Sequence, residues 1–191
     1  AAWDDSDNGF KCVPNDGDYS VRNDAEYLHY TSNNTLFGTQ FHHLPDSNGK
    51  PRIVDASSDI CGAHLDVSKH DLIYAGAQKN LGPSGVTVVI LSPWAASRGK
   101  EGLPTMLDYR THLSKGSMFN TPNTYGIFVL DKVLAWVERN GGLEGAIERN
   151  REKSGLLYGI LDGSEFWRPH AEVGSRSMMN GTWRLADESL E

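Results

Sequence analysis

The chain has 191 residues, 38% hydrophobic and 23% charged, the balance expected of a soluble globular protein with one domain, or one and a part. Its formal net charge of −7 provides no broad basic field, which argues against nucleic acid or an anionic membrane surface as a partner. No apolar run approaches the roughly eighteen residues of a membrane span, whereas a small anionic substrate stays open because a pocket needs only a few local cations.

Residues 1–24 are rich in Asp, Asn and Gly and read as loop or linker. The polar opening "AAWDDSDNGF", without an initiator methionine, reads as a cut rather than a natural start. Cys12 and Cys61 lie far apart without C-x-x-C spacing, the pattern of reduced thiols in a cytoplasmic protein, and no metal is expected. Asn33-Asn34-Thr35 and Asn180-Gly181-Thr182 match the glycosylation sequon; without a preceding signal peptide both read as chance matches. Strands are predicted at Tyr27–Tyr30, Arg52–Val54, Leu72–Ala75 and Val86–Leu91, with the turn-forming "PDSNGKP" between the first two. The last of these is continuously apolar and β-branched, the pattern of a strand covered on both faces within an α/β sheet.

After Pro122 the apolar period changes to that of a helix, with Ile127, Leu130, Leu134 and Val137 on one stripe. Thr121 at the N-cap and Pro122 at the first helical position predict its start, and Asn140-Gly141-Gly142 its end. A second helix is predicted from about Leu143 to Leu161, carrying Ile147, Leu157 and Ile160, with "ERNREK" as its wet face. "FWRP" and "SRSMMNGTWRL" read as strands of another layer. His42 and His43 are neighbours whose side chains would diverge on a strand, which argues against joint metal ligation. Trp94, Trp136, Trp167 and Trp183 read as packing or interface residues.

Lys79 sits among glycines and a proline between two apolar strands, and three readings of it compete. It is a solvated loop lysine, or it binds phosphate through a glycine-rich loop, or it forms a Schiff base. The phosphate loop G-x-x-x-x-G-K-[ST] is not present. A Schiff-base lysine needs a shielded pocket at strand ends, where desolvation frees its lone pair, and flanking glycines let backbone approach a bulky cofactor. A pyridinium cofactor would also need a carboxylate beside its ring nitrogen. "RIVDASSD" offers Asp55 at the end of an apolar strand, although a strand-end aspartate is equally an ordinary turn residue. Asp55 and Lys79 are expected to converge at one edge of a parallel sheet, where α/β proteins bind ligands.

The segments "YLHYTSNNTLFGTQF", "VDASSD", "YAGAQKNLGPSGVTVVI", "LDYRTHLSKGSMFNTPNTYGIFVL" and "SRSMMNGTWRL" resemble the phosphoserine aminotransferase family, in the class V branch of the fold-type I pyridoxal-phosphate enzymes. The similarity runs in the family's order from about Tyr19 to Glu191. It implies a three-layer α/β fold: a partial large cofactor-binding domain at residues 1–147 and the start of a small α+β C-terminal domain at 148–191. By the same resemblance Lys79 bonds covalently to pyridoxal 5′-phosphate and Asp55 pairs with its ring nitrogen. Gln78 contacts the cofactor phosphate, Thr35 the phenolic oxygen, and Asn120 and Thr121 reach across a homodimer interface to the partner's cofactor phosphate. The implied substrates are glutamate and 3-phosphohydroxypyruvate, giving phosphoserine in cytoplasmic serine biosynthesis, with a phosphorylated threonine derivative of vitamin B6 synthesis as an additional substrate in some members. Family members are considerably longer, and the remaining cofactor- and substrate-binding groups are expected upstream of Ala1 and downstream of Glu191. Two alternatives stand beside this: a non-catalytic partial domain that only binds cofactor weakly or dimerises, and another class V transaminase or a cysteine desulfurase. The last would need a reactive cysteine, and neither Cys12 nor Cys61 has an evident activating context.

Overall fold

A computed structural model describes residues 1–187 and residue 189. Among the described residues, eight strands form three sheets. Four of them, β1 (Leu28–Thr31), β4 (Arg52–Asp55), β5 (Leu72–Gly76) and β6 (Thr87–Leu91), lie side by side in that order. β2 (Asn33–Asn34) pairs with β3 (Thr39–Gln40), and β7 (Trp167–Pro169) with β8 (Trp183–Leu185), each antiparallel. The strands of the main sheet fall within a residue or two of the positions expected from their apolar runs.

In the main sheet β1, β4 and β5 are parallel, with Thr31 opposite Asp55 and Asp55 opposite Tyr74. β6 departs from expectation twice. It runs antiparallel to β5, because the connection through residues 77–86 is too short for a parallel crossover, which takes about a dozen residues or more. It is also not covered on both faces: it sits at the end of the strand order, and Ile90 is 37% exposed.

The period-2 alternation of strands gives the sheet two unlike faces. Val54, Ile73 and Ala75 on one face are fully buried or nearly so, with Tyr30, Ile60 and Leu65 packed around Val54 and Ile73. The other face carries His29, Thr31, Asp55 and Tyr74, all at least partly exposed. Hydrophobic burial thus anchors the strands from one side while their polar residues remain available on the other.

Among the described residues, four α-helices follow β6: α1 (Pro93–Ser97), α2 (Tyr109–Ser114), α3 (Thr124–Arg139) and α4 (Gly142–Asp162). The predicted start of α3 is corrected by two residues. Asn123, rather than Thr121, is the N-cap, and its Oδ1 accepts the Gly126 N–H at 3.0 Å. Pro122 therefore precedes the helix and its carbonyl accepts the Thr124 N–H. The apolar stripe of α3 is only half covered, with Leu130 and Val137 partly buried and Ile127 and Leu134 exposed. In α4, Ile147 and Leu161 are buried, whereas Ile160 is exposed. The "ERNREK" face is not uniformly wet: Asn150 Nδ2 donates to the Gly62 carbonyl at 3.1 Å, and the Arg149 guanidinium lies over Trp136. The β7–β8 hairpin packs on α4. No helix among the described residues is long and apolar enough to cross a membrane.

Candidate active site

The C-terminal ends of β4 and β5 are tied together by their own turns. Asp55 closes β4, and its Oδ1 accepts the Ser57 N–H at 2.9 Å, which fixes one carboxylate oxygen against the turn. Ser57 Oγ in turn accepts the Gly76 N–H at the end of β5. The chain then wraps through a single tight turn in which the Leu81 and Gly82 N–H groups both bond the Ala77 carbonyl. Gly82 has φ +148°, a backbone conformation that residues with a side chain rarely adopt, and it packs against Leu130 of α3.

That turn projects Lys79 across the strand ends. Its Nζ donates to Thr35 Oγ1 at 2.5 Å and to Ser58 Oγ at 2.6 Å, and the two hydroxyls are 2.7 Å apart. Amine and hydroxyls thus form a closed triangle drawn from three separate loops. Thr35, in the turn between β2 and β3, is held from behind. Asn180 Nδ2 donates to the Thr35 carbonyl at 2.9 Å, Asn33 Nδ2 donates to Asn180 Oδ1, and Ser177 Oγ donates to Asn33 Oδ1.

Asp55, Ser57, Ser58, Lys79 and Thr35 all line one open cleft of about 290 Å³ at the end of the sheet. The expected convergence of Asp55 and Lys79 is therefore observed. A larger cavity of about 410 Å³, beside Tyr30 and Leu65, contains neither of them. Gln78 is exposed and does not line the cleft; its side-chain amide lies against Gly76, whose N–H bonds Ser57. Asn120 and Thr121 lie apart from the cleft, exposed on the segment between α2 and α3.

Two polar groups support the site from outside it. Asp59 is buried, and its carboxylate accepts Ser32 Oγ at 2.5 Å and Gln40 Nε2 at 3.1 Å. Burial pushes its pKa up, against the opposing pull of those two hydrogen bonds. On the open face of the sheet, the Tyr74 hydroxyl and His29 Nε2 share a hydrogen bond of 3.0 Å, with the rings stacked. Burial pushes the Tyr74 phenol up, and so does the charge of neighbouring Asp55.

His42 Nε2 pairs with the Arg176 carbonyl and His43 packs edge-on against Phe41. Among the described residues no three His, Cys, Asp or Glu side chains group as a metal site. Trp94 and Trp136 lie under arginines, and Trp167 meets Trp183 edge to face. Cys12 is pushed up by burial and by Asp5, and Cys61 by burial, the reverse of what activates a thiol.

The family model described as "Aminotransferase class-V" matches residues 9–187. The chain belongs to the class V aminotransferases. Among proteins of this family it is 48% identical over 190 residues to the phosphoserine aminotransferase of Desulfotalea psychrophila, covering all of this chain and 52% of that one. The solved phosphoserine aminotransferase of Bacillus circulans subsp. alkalophilus superposes with a TM-score of 0.92 at 45% identity, over 97% of this chain and 52% of that one. A pyridoxal-phosphate-bound phosphoserine aminotransferase from Trichomonas vaginalis superposes with a TM-score of 0.87 at 31% identity, over 93% and 49%. The chain thus spans about half the length of the class V relatives it matches.

Several residues that build the site carried no assignment from sequence. Ser57 and Ser58 stand in plain view in "VDASSD", and the strand-end position of Asp55 was the signal that could have drawn them in. Tyr74 sits opposite Asp55 only through strand register. Asn180 and Ser177 reach Thr35 and Asn33 across most of the chain, and no local pattern marks such a pairing.

Proposed function

We propose that this chain is the lysine-bearing part of a phosphoserine aminotransferase, a pyridoxal-phosphate enzyme that moves an amino group between glutamate and 3-phosphohydroxypyruvate. The observation that carries the reading is the single cleft shared by Lys79, Asp55 and Thr35. Its donor set fits the cofactor chemically: one amine for an aldehyde, one carboxylate for a ring nitrogen, and hydroxyls for a phenolic oxygen. When bound, pyridoxal phosphate supplies an aldehyde carbon that captures amines and a cationic ring that draws electrons from the substrate α-carbon.

In this reading the chain's own groups divide the work. Lys79 Nζ would be the nucleophile toward the aldehyde, the base that takes the proton from the substrate α-carbon, and then the acid that delivers it to the former aldehyde carbon. Thr35 and Ser58 orient that amine, since both oxygens accept its N–H groups. Asp55 would supply the carboxylate that pairs with the ring nitrogen, with one oxygen immobilised by Ser57 so that the group is pre-aimed. Gln78 serves the cofactor phosphate from its place beside Gly76, and Asn120 and Thr121 serve the cofactor of a partner subunit. Residues 1–147 and 148–191 are assigned to a large and a small domain, with α4 as the link. The exposed apolar side chains Met106, Leu107, Met118 and Phe119 favour a homodimer contact along the same segment as Asn120. Free Cys12 and Cys61 fit a cytoplasmic location. A cysteine desulfurase is disfavoured by the raised pKa of both thiols.

The complete gene product, assayed with glutamate and 3-phosphohydroxypyruvate, is expected to form phosphoserine. Lys79→Ala should lower kcat by at least roughly 10²–10⁴-fold, the worth of a general acid–base group, and abolish the visible band of the lysine-bound cofactor. Unchanged turnover or an unchanged spectrum in that variant would overturn the assignment.

A further inference from the structure

The two hydroxyls that hold Lys79 Nζ are anchored in different ways. Ser58 belongs to the turn that follows β4, within the framework of the main sheet. Thr35 is exposed and opens the loop at residues 35–38, which joins β2 to β3 beyond the Asn34–Thr39 pair. The loop's backbone donors are met from its own base. Asn34 Oδ1 accepts the Leu36 and Phe37 N–H groups, and the Asn34 carbonyl accepts that of Gly38. Its carbonyls are met from far along the chain. Asn180 Nδ2 donates to Thr35 at 2.9 Å, Thr182 Oγ1 to Phe37 at 2.7 Å and the Ser177 N–H to Gly38 at 2.9 Å. All three donors come from the segment between β7 and β8.

Of the three, Asn180 bonds the residue that touches the amine. Its amide has one orientation: a carbonyl only accepts, so Nδ2 faces Thr35, while Oδ1 takes Asn33 Nδ2–H at 2.9 Å. Asn33, 1% exposed, is fixed in turn by Ser177 Oγ. A polar network whose members are all paired holds its atoms in a single arrangement. The consequence falls on Lys79. With two N–H groups committed to Thr35 and Ser58, the lone pair of a neutral amine keeps one direction, away from both oxygens. Held by Ser58 alone, the amine would turn about that one bond. Fixing the direction of a nucleophile is an effect on rate.

We infer that Asn180 is a positioning residue: by pinning the Thr35 backbone it keeps the Thr35 hydroxyl on the Lys79 amine and so pre-aims that amine toward an aldehyde. Asn180 itself does not line the cleft. The inference rests on the reading of Lys79 as the cofactor lysine.

The test uses the complete gene product stripped of cofactor and mixed with pyridoxal phosphate. The rate at which the visible band of the lysine-bound form appears is compared in the unaltered protein, Asn180→Ala, Thr35→Val and the double variant. Asn180→Ala should slow capture on the order of five- to tenfold, the worth of one hydrogen bond. On top of Thr35→Val the same change should cost nothing more, because the hydroxyl it positions is already gone. A merely structural Asn180 would lower the urea midpoint without that coupling. An unchanged rate in Asn180→Ala, or its loss repeated on top of Thr35→Val, overturns the inference. Lys79→Ala tests the reading beneath it: a band that forms as before in that variant removes Lys79 from the chemistry, and the inference falls with it. Should Asn180→Ala not yield folded protein, Asn180→Asp, which keeps Oδ1 for Asn33 and removes the donor to Thr35, takes its place in the same cycle.

Discussion

Asp59 does not line the cleft, yet it joins the pieces around it. Its two oxygens take Ser32 from the end of β1 and Gln40 from β3, and Gln40 Oε1 accepts the Met178 N–H. The raised pKa of Asp59 has a definite consequence for stability. A carboxyl whose pKa is higher in the folded than in the unfolded chain binds its proton more tightly when folded. It therefore favours the fold below the ordinary carboxyl value of 3.8, and that contribution is lost as pH rises from there through the raised value. Asp59→Asn should flatten the stability–pH curve in that window, as read from urea midpoints at successive pH values. An undiminished slope in the variant would assign the dependence to other groups. Lys79 and Asp55 were legible from sequence because each follows an apolar strand, and strand ends are where α/β sheets present side chains. Thr35 was legible only by resemblance, because its place depends on Asn180 and Asn33.

At the level of elements, what the sequence made plain was whatever depends on local pattern. The β-branched runs placed the strands of the main sheet, and the 3.6-residue period placed α3 and α4. Direction and edge position were not legible, because they depend on connection length and on which strands find partners. The antiparallel course of β6 follows from ten residues of connecting chain, a property of the link and not of the strand. The start of α3 was misplaced because Thr121-Pro122 and Asn123 are competing start signals two residues apart. The observed cap makes a sharp prediction. Asn123→Ala should cost about 1 kcal/mol of stability by removing the bond to the Gly126 N–H, whereas Thr121→Ala should cost far less. Equal losses in thermal or denaturant unfolding would place the cap elsewhere. Only one N–H is at stake, yet α3 packs against α4 and backs the Gly82 turn that carries Lys79.

Across the whole molecule, burial is uneven. The core is concentrated on one side of the four-stranded sheet, while the segment from α1 to α3 exposes large apolar side chains, with Leu107 at 71% and Met118 at 67%. Apolar surface of this kind, contiguous along one stretch, is what a partner subunit would cover. On the proposed homodimer contact, Leu107→Asp combined with Met118→Asp in the complete gene product should shift the sedimentation profile from dimer to monomer and weaken cofactor retention. An unaltered profile would remove this segment from the interface.

The triangle of Lys79, Thr35 and Ser58 sets an order of events as the protein is made. The sheet that carries Ser58 and Lys79 is complete once residue 91 has emerged, but the loop presenting Thr35 is clasped by Asn180, 145 positions further along. A nascent chain can therefore own a finished framework, with Ser58 beside the Lys79 amine, while Thr35 is still unclasped. Closing so distant a clasp is slow compared with local pairing. Maturation of the cleft should accordingly lag behind the first appearance of folded structure, until translation has passed the clasp.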